Sequence, residues 1–256
     1  MTVRTCSSAL ALLALSVAVA ACGGAPKPPA EQAKPAEPAI PAVDVSKHMH
    51  ENLARVTIMQ EAVIRGDMEA VVEPATWIAE HQETAGLPAG TESVLGDMKK
   101  QAAVVAGAKD FRNAATATAM VVSYCGSCHK AAQVTPAIPE SVKPAAEGAL
   151  AAHMMEHQWA TDLLYQGLVI PSEERWQKGL DAMAATPLAE KNLPKDTKLT
   201  KEIVALEKKV HGLAGRAKAA SDLGTKVAFY GEYIGGCAGC HELHGKVWGP
   251  GLPKTR

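Results

Sequence analysis

The sequence predicts an all-α protein made of two tandem antiparallel four-helix bundles. Three observations carry this. Apolar residues recur at helical spacing, alternating β-branched runs are nearly absent, and the chain repeats itself. His48-Met49-His50-Glu51 and His153-Met154-Met155-Glu156 lie 105 residues apart. Cys125-Gly126-Ser127-Cys128-His129 and Cys237-Ala238-Gly239-Cys240-His241 lie 112 apart. A longer loop in the second half, around Pro187 to Lys198, accounts for the difference. A unit of about 85 to 100 residues marks a duplicated domain rather than a solenoid.

The elements follow in order within each half. The first helix runs over 46–65, with Leu53, Val56, Met59 and Val63 three or four apart. Gly66-Asp67 ends it, and Asp67 can cap the next helix. Pro171-Ser172 does the same in the second half, with Glu173 and Glu174 favourably placed in the first turn. The second helices carry Pro74 and Gly179 at aligned positions, and each residue weakens a helix, so a kink or break is expected there. The third helices start at Thr91 and Thr200. The fourth start at Asp110 and Asp222, both N-cap residues, fifteen positions before the first cysteine of each motif.

Composition bounds the function. The net charge of −1 and the 21% charged residues argue against a nucleic-acid binder, and 47% hydrophobic residues exclude a wholly disordered chain. Alanine supplies 47 of the 256 residues, while Phe, Tyr and Trp together supply ten. Such a core is thin unless a further apolar group fills it.

Residues 1–21 read as an export signal, with Arg4 before a run from Ala9 to Ala21 that is too short to span a bilayer. Val19-Ala20-Ala21-Cys22 resembles the lipobox of bacterial lipoproteins. The resemblance implies a lipidated Cys22 at the mature terminus and a membrane anchor. Gly23 rather than Asp follows the cysteine, which by the same resemblance favours the outer membrane, facing the periplasm. The prolines of 22–44 mark a semi-extended spacer. The remaining divisions are a first domain at 45–132, a Pro-containing linker at 133–148, a second domain at 149–244 and a tail at 245–256.

The repeated C-x-x-C-H is the attachment motif of c-type haem. Residues i and i+3 share a helix face, so two thiols there can add across the two vinyl groups of one porphyrin. Cys125 and Cys128, and Cys237 and Cys240, are the attachment pairs; His129 and His241 are the proximal iron ligands. A thioredoxin-type site needs βαβ architecture, which is lacking, and a zinc site does not call for histidine after both pairs. With Cys6 in the signal and Cys22 lipidated, no cysteine is left for a structural disulfide.

Each half, over roughly 45–132 and 149–244, resembles the cytochrome c′ and cytochrome c-556 class, a four-helix bundle with C-x-x-C-H on its last helix. The resemblance implies two covalent haem c groups. It also implies a distal methionine on the first helix of six-coordinate members, which points to Met49 and Met154. Met49 shares a face with Leu53, Val56 and Val63, so it is expected to point inward. His48 and His153 are the rival pair, and an open sixth position is the third reading. His81, His157, His211 and His244 have no aligned partner and read as surface or core residues, and the four tryptophans read as packing. Lys99-Lys100 and Lys208-Lys209 read as solvated faces.

The expected role is one-electron transfer in the bacterial cell envelope between redox partner proteins, by a protein that is not an enzyme. An open iron would instead bind NO or CO. A dihaem peroxidase is a third class, but neither half shows the ordinary cytochrome c pattern.

Overall fold

The computed structural model describes residues 44–82, 86–185, 187–193 and 200–248, with side chains through 243. The signal, Cys22 and nearly all of the spacer lie outside the described residues, as does the C-terminal segment from 249. The described residues are helical and contain no strand, as the periodicity predicts. No described helix is long and apolar enough to cross a membrane.

The described residues form eight α-helices: α1 Val45–Arg65, α2 Met68–Glu80, α3 Glu92–Ala106, α4 Phe111–Ala131, α5 Ala149–Val169, α6 Glu173–Met183, α7 Thr200–Ala217 and α8 Leu223–Trp248. The starts are set by side-chain caps. Asp67 accepts from the Ala70 amide at 3.0 Å, Asp110 from Asn113 at 2.9 Å, Ser172 from Arg175 at 3.3 Å and Asp222 from Thr225 at 2.8 Å. α1 stops because Gly66 turns left-handed at φ 72°. Its amide returns to the Val63 carbonyl, and the Asp67 amide to that of Ala62.

α2 and α6 each run through the expected weak point. Pro74 sits inside α2, and Gly179 inside α6. At Gly179 the reason is packing. A Cβ there would lie 2.8 Å from Leu164 Cγ and 3.0 Å from Leu164 N, so the missing side chain lets α6 press onto α5. Gly167 on α5 serves the same contact, since its Cβ would meet Trp176 N at 2.9 Å.

Within the first half α1, α2, α3 and α4 pack in succession. In the second half α5 lies tightly on α6 and α7 on α8, while α5 stands off from α7 and α8. The two halves join along α4 and α8, with α1 also against α8 and α4 against α5, and the described residues belong to one compact unit. Small residues make that joint possible. A Cβ on Gly231 would come within 3.0 Å of Thr116 Cα, and one on Gly235 within 3.3 Å of Ala115 Cβ. On α4, Ala114, Ala115, Ala117 and Ala119 are buried, and their small side chains let the backbones approach closely. Tyr230 crosses the joint and donates to Gln60 Oε1 on α1 at 2.6 Å.

The linker at 133–148 is strapped over the second half. Arg175 donates from Nη2 to the Ile138 carbonyl at 2.8 Å and from Nη1 to Gln166 Oε1 at 3.0 Å. Gln166 Nε2 donates to the Pro139 carbonyl, Trp159 Nε1 to the Ser141 carbonyl, and Ser141 Oγ to Asp162.

Candidate functional site

Both cysteine motifs lie on their expected helices, near the end of α4 and in the second half of α8. All four thiols are free. Burial pushes the Cys125 and Cys237 thiols up to about 12 and Cys240 up to about 11, and it raises Cys128 as well. The nearby Glu207 carboxylate adds to the shift at Cys240. Undirected thiolate chemistry is therefore suppressed at neutral pH.

The motif histidines are positioned from the opposite half. His129 Nδ1 lies 2.8 Å from the carbonyl of Val169, the last residue of α5. A carbonyl only accepts, so Nδ1 donates here and Nε2 is the nitrogen left to face a ligand. The repeat offsets relate His129 to His241 and Val169 to Ile64. His241 does lie against the Ile64 backbone. Burial lowers its pKa, and the Ile64 carbonyl opposes that shift. Its Nδ1 is buried without a closed hydrogen bond.

The backbone contacts are exchanged in the same reciprocal way. Gly126 meets Leu168 and Pro171, while its counterpart Ala238 places its carbonyl against Gly66. Beside the first motif, Ser127, Lys130, Leu168, Pro171, Glu173 and Lys226 contribute to a groove of about 240 Å³. This is below the roughly 300–1,000 Å³ of an enclosed cofactor site. The first motif's donors thus border an open groove rather than an enclosed pocket.

The distal candidates are placed unevenly. His48 is 7% exposed with its Nε2 unpartnered, Met49 is half-buried and His50 is exposed. The inward position on the first turn of α1 thus belongs to His48, not Met49. Met154 is also half-buried.

His153 belongs to a cluster that repeat alignment does not reveal. His153 and His157 on α5 meet Glu207 and His211 on α7. Glu207 Oε1 lies 2.5 Å from His153 Nε2 and 3.1 Å from His211 Nε2, and His157 Nε2 lies 3.1 Å from His211 Nε2. The Leu188 amide also donates to Glu207 Oε1, at 2.9 Å. Burial, with the neighbouring His153, pushes His157 down to about 3, so its ring is neutral. Burial opposes ionisation of Glu207, but the close His153 ring and the hydrogen bonds from His211 and Leu188 outweigh it and hold the carboxyl well below its usual range. His157 and His211 have no aligned partner in the first half, so the repeat does not point to them. The legible signal was the pair of i, i+4 spacings, 153/157 and 207/211.

The other candidates take ordinary places. His81 stacks on Trp77 with ring centroids 5.1 Å apart, and Trp176 is buried against Phe229. Lys100 pairs with Asp97, and Lys209 with Glu232, on exposed faces. His244 and Trp248 lie where side chains are not described.

Comparison with known protein families, curated proteins and solved structures finds no match to this chain.

Proposed function

We propose that the protein is a dihaem c-type cytochrome, with one haem c on each four-helix half, that carries single electrons between partner proteins of the bacterial cell envelope. The observation that carries the reading is the duplicated C-x-x-C-H on two packed helices, with free thiols in both copies and the first histidine held by a backbone carbonyl. The donor set suits the group. Cys125 and Cys128, and Cys237 and Cys240, would hold the two porphyrins as thioethers; His129 and His241 would offer Nε2 to the irons. Haem supplies a one-electron Fe(III)/Fe(II) couple whose potential depends on axial ligand, burial and hydrogen bonding.

The chain's own part is positional. The Val169 carbonyl fixes the tautomer and ring plane of His129. Burial keeps His241 neutral, the form in which imidazole ligates a metal. The close approach of α4 and α8 brings the two motif-bearing helices side by side, which suits electron relay within one chain. Anchoring through Cys22 would hold the carrier at the outer membrane.

The test is the absorption spectrum of the full chain, oxidised, reduced and CO-treated, with a pyridine haemochrome count. Two haems per chain and no CO response support the proposal. Fewer than two haems refutes it, and rapid complete CO binding moves the function to gas binding. Loss of a far-red charge-transfer band in a Met49→Ala, Met154→Ala variant would assign those methionines as distal ligands; its absence in the wild type rules them out.

A further inference from the structure

We infer that His153, His157, Glu207 and His211 form a four-coordinate site for one divalent first-row transition-metal ion, beside the second C-x-x-C-H motif and using none of its residues. The donors are preorganised by two helices. Each helix contributes two residues four apart, hence on one face: His153 and His157 from α5, Glu207 and His211 from α7. One ligand atom from each residue falls within 4.8 Å of all the others. Tetrahedral bonds of about 2.0–2.1 Å need donor separations of roughly 3.4 Å. The observed 2.5 to 3.1 Å contacts and the 4.8 Å limit bracket that value, so changes in donor separation of about an ångström close the site.

The cluster does not explain itself as a hydrogen-bond network. His211 Nε2 is called on by both Glu207 Oε1 and His157 Nε2, yet it carries at most one proton. His153 Nε2 approaches Glu207 to 2.5 Å yet closes no hydrogen bond, and the buried His211 Nδ1 has no partner. Three imidazole nitrogens and a carboxylate oxygen converging in a place where Glu207 is 6% and His211 8% exposed are the donors a cation satisfies together.

The donor set selects the ion class. Imidazole with one carboxylate suits zinc, copper, nickel or iron, whereas Mg²⁺ and Ca²⁺ take oxygen ligands. α5 stands off from α7 along the backbone, and these side chains span the interval. The first half offers the contrast. Its counterparts are His48, Asn52, Met98 and Ala102. Asn52 is instead paired with Gln82 by two hydrogen bonds, at 3.1 and 2.7 Å, and Met98 and Ala102 are apolar core. The site therefore belongs to the second half alone.

The inference does not rest on the haem reading, and its test is read separately. Full-length protein is dialysed against Zn²⁺, and bound zinc is measured by mass spectrometry, with haem iron counted independently by pyridine haemochrome. One zinc per chain is expected, with the zinc X-ray absorption edge showing only nitrogen and oxygen neighbours. His157→Asn, Glu207→Met and His211→Ala, which install the residues the first half already accommodates, should each weaken zinc binding at least tenfold. No bound zinc in the wild type overturns the inference, whatever the haem count. So does a sulfur shell near 2.3 Å, which would assign the ion to the cysteines, and so does binding unchanged in all three variants.

Discussion

Gly126→Ala should destabilise the protein by about 2 kcal/mol, although alanine is the better helix former. A Cβ at Gly126 would stand 2.1 Å from the Leu168 carbonyl oxygen and 3.2 Å from Pro171 Cγ. Ordinary contact needs about 3.4 Å, so α4 and the end of α5 must part by more than an ångström. The obstacle is backbone, which no rotamer change relieves. Overpacking of this kind costs roughly 3 kcal/mol, and the helix-propensity gain returns about 1. For a folded region of this size the net loss lowers Tm by about 4–8 °C. Gly96→Ala on α3 is the internal control, because nothing lies within 4 Å of its Cβ and the same propensity gain should raise stability by about 0.5–1 kcal/mol. Urea unfolding of both variants, followed by circular dichroism at constant m, reads the two effects. A Gly126→Ala protein as stable as Gly96→Ala would refute the close docking of α4 on α5. The separation should also stretch the His129–Val169 bond, so any haem on the first motif would show a shifted Soret band.

Three further outcomes follow from the same structure. Tyr230→Phe leaves the buried Gln60 Oε1 without its donor and should cost about 1–3 kcal/mol, seen as a lower urea midpoint; an unchanged midpoint would mean the bond does not hold α8 to α1. Burial raises the pKa of Asp162 above its ordinary value, against hydrogen bonds from Ser141 and Gln158 that lower it. The folded state therefore binds the proton more tightly, and this carboxylate costs stability as pH rises through its folded pKa. Asp162→Asn should be at least as stable as wild type at pH 7, with the gap closing below about pH 4; an equal loss at both pH values would contradict the shift. Arg175→Ala removes the bond from α6 to the Ile138 carbonyl of the linker strap and the bond that steadies Gln166 on α5, so limited proteolysis should cut within 133–148 faster while the thermal midpoint moves little. Unchanged cleavage would show that the other strap bonds suffice.

Local signals were the legible part of the fold. Gly66-Asp67, Ser172, Asp110 and Asp222 mark helix ends because a cap is made within three residues of itself. Pro74 and Gly179 do not break their helices, for the opposite reason. Their helices persist because tertiary burial outweighs local weakness, and the glycine at 179 exists for Leu164, fifteen residues earlier on another helix. The motif positions on α4 and α8 could be read from spacing, but their dependence on Val169 and Ile64 could not, because those carbonyls belong to the other half. Alignment of the repeats also concealed the His₃Glu cluster. It promotes residues that recur, and the cluster lies where the halves have diverged: His157 against Asn52, His211 against Ala102.

The reciprocal docking of the two motifs also sets an order of arrival during synthesis. The carbonyl of Ile64 is already present when His241 emerges, whereas His129 precedes Val169 by 40 residues. At about 5–20 residues per second, the first motif waits some 2–8 s for its partner and the second waits for nothing. Two copies of one motif, nearly alike in sequence, therefore meet the maturing cell as different objects: one briefly unsupported, the other complete as soon as it is made.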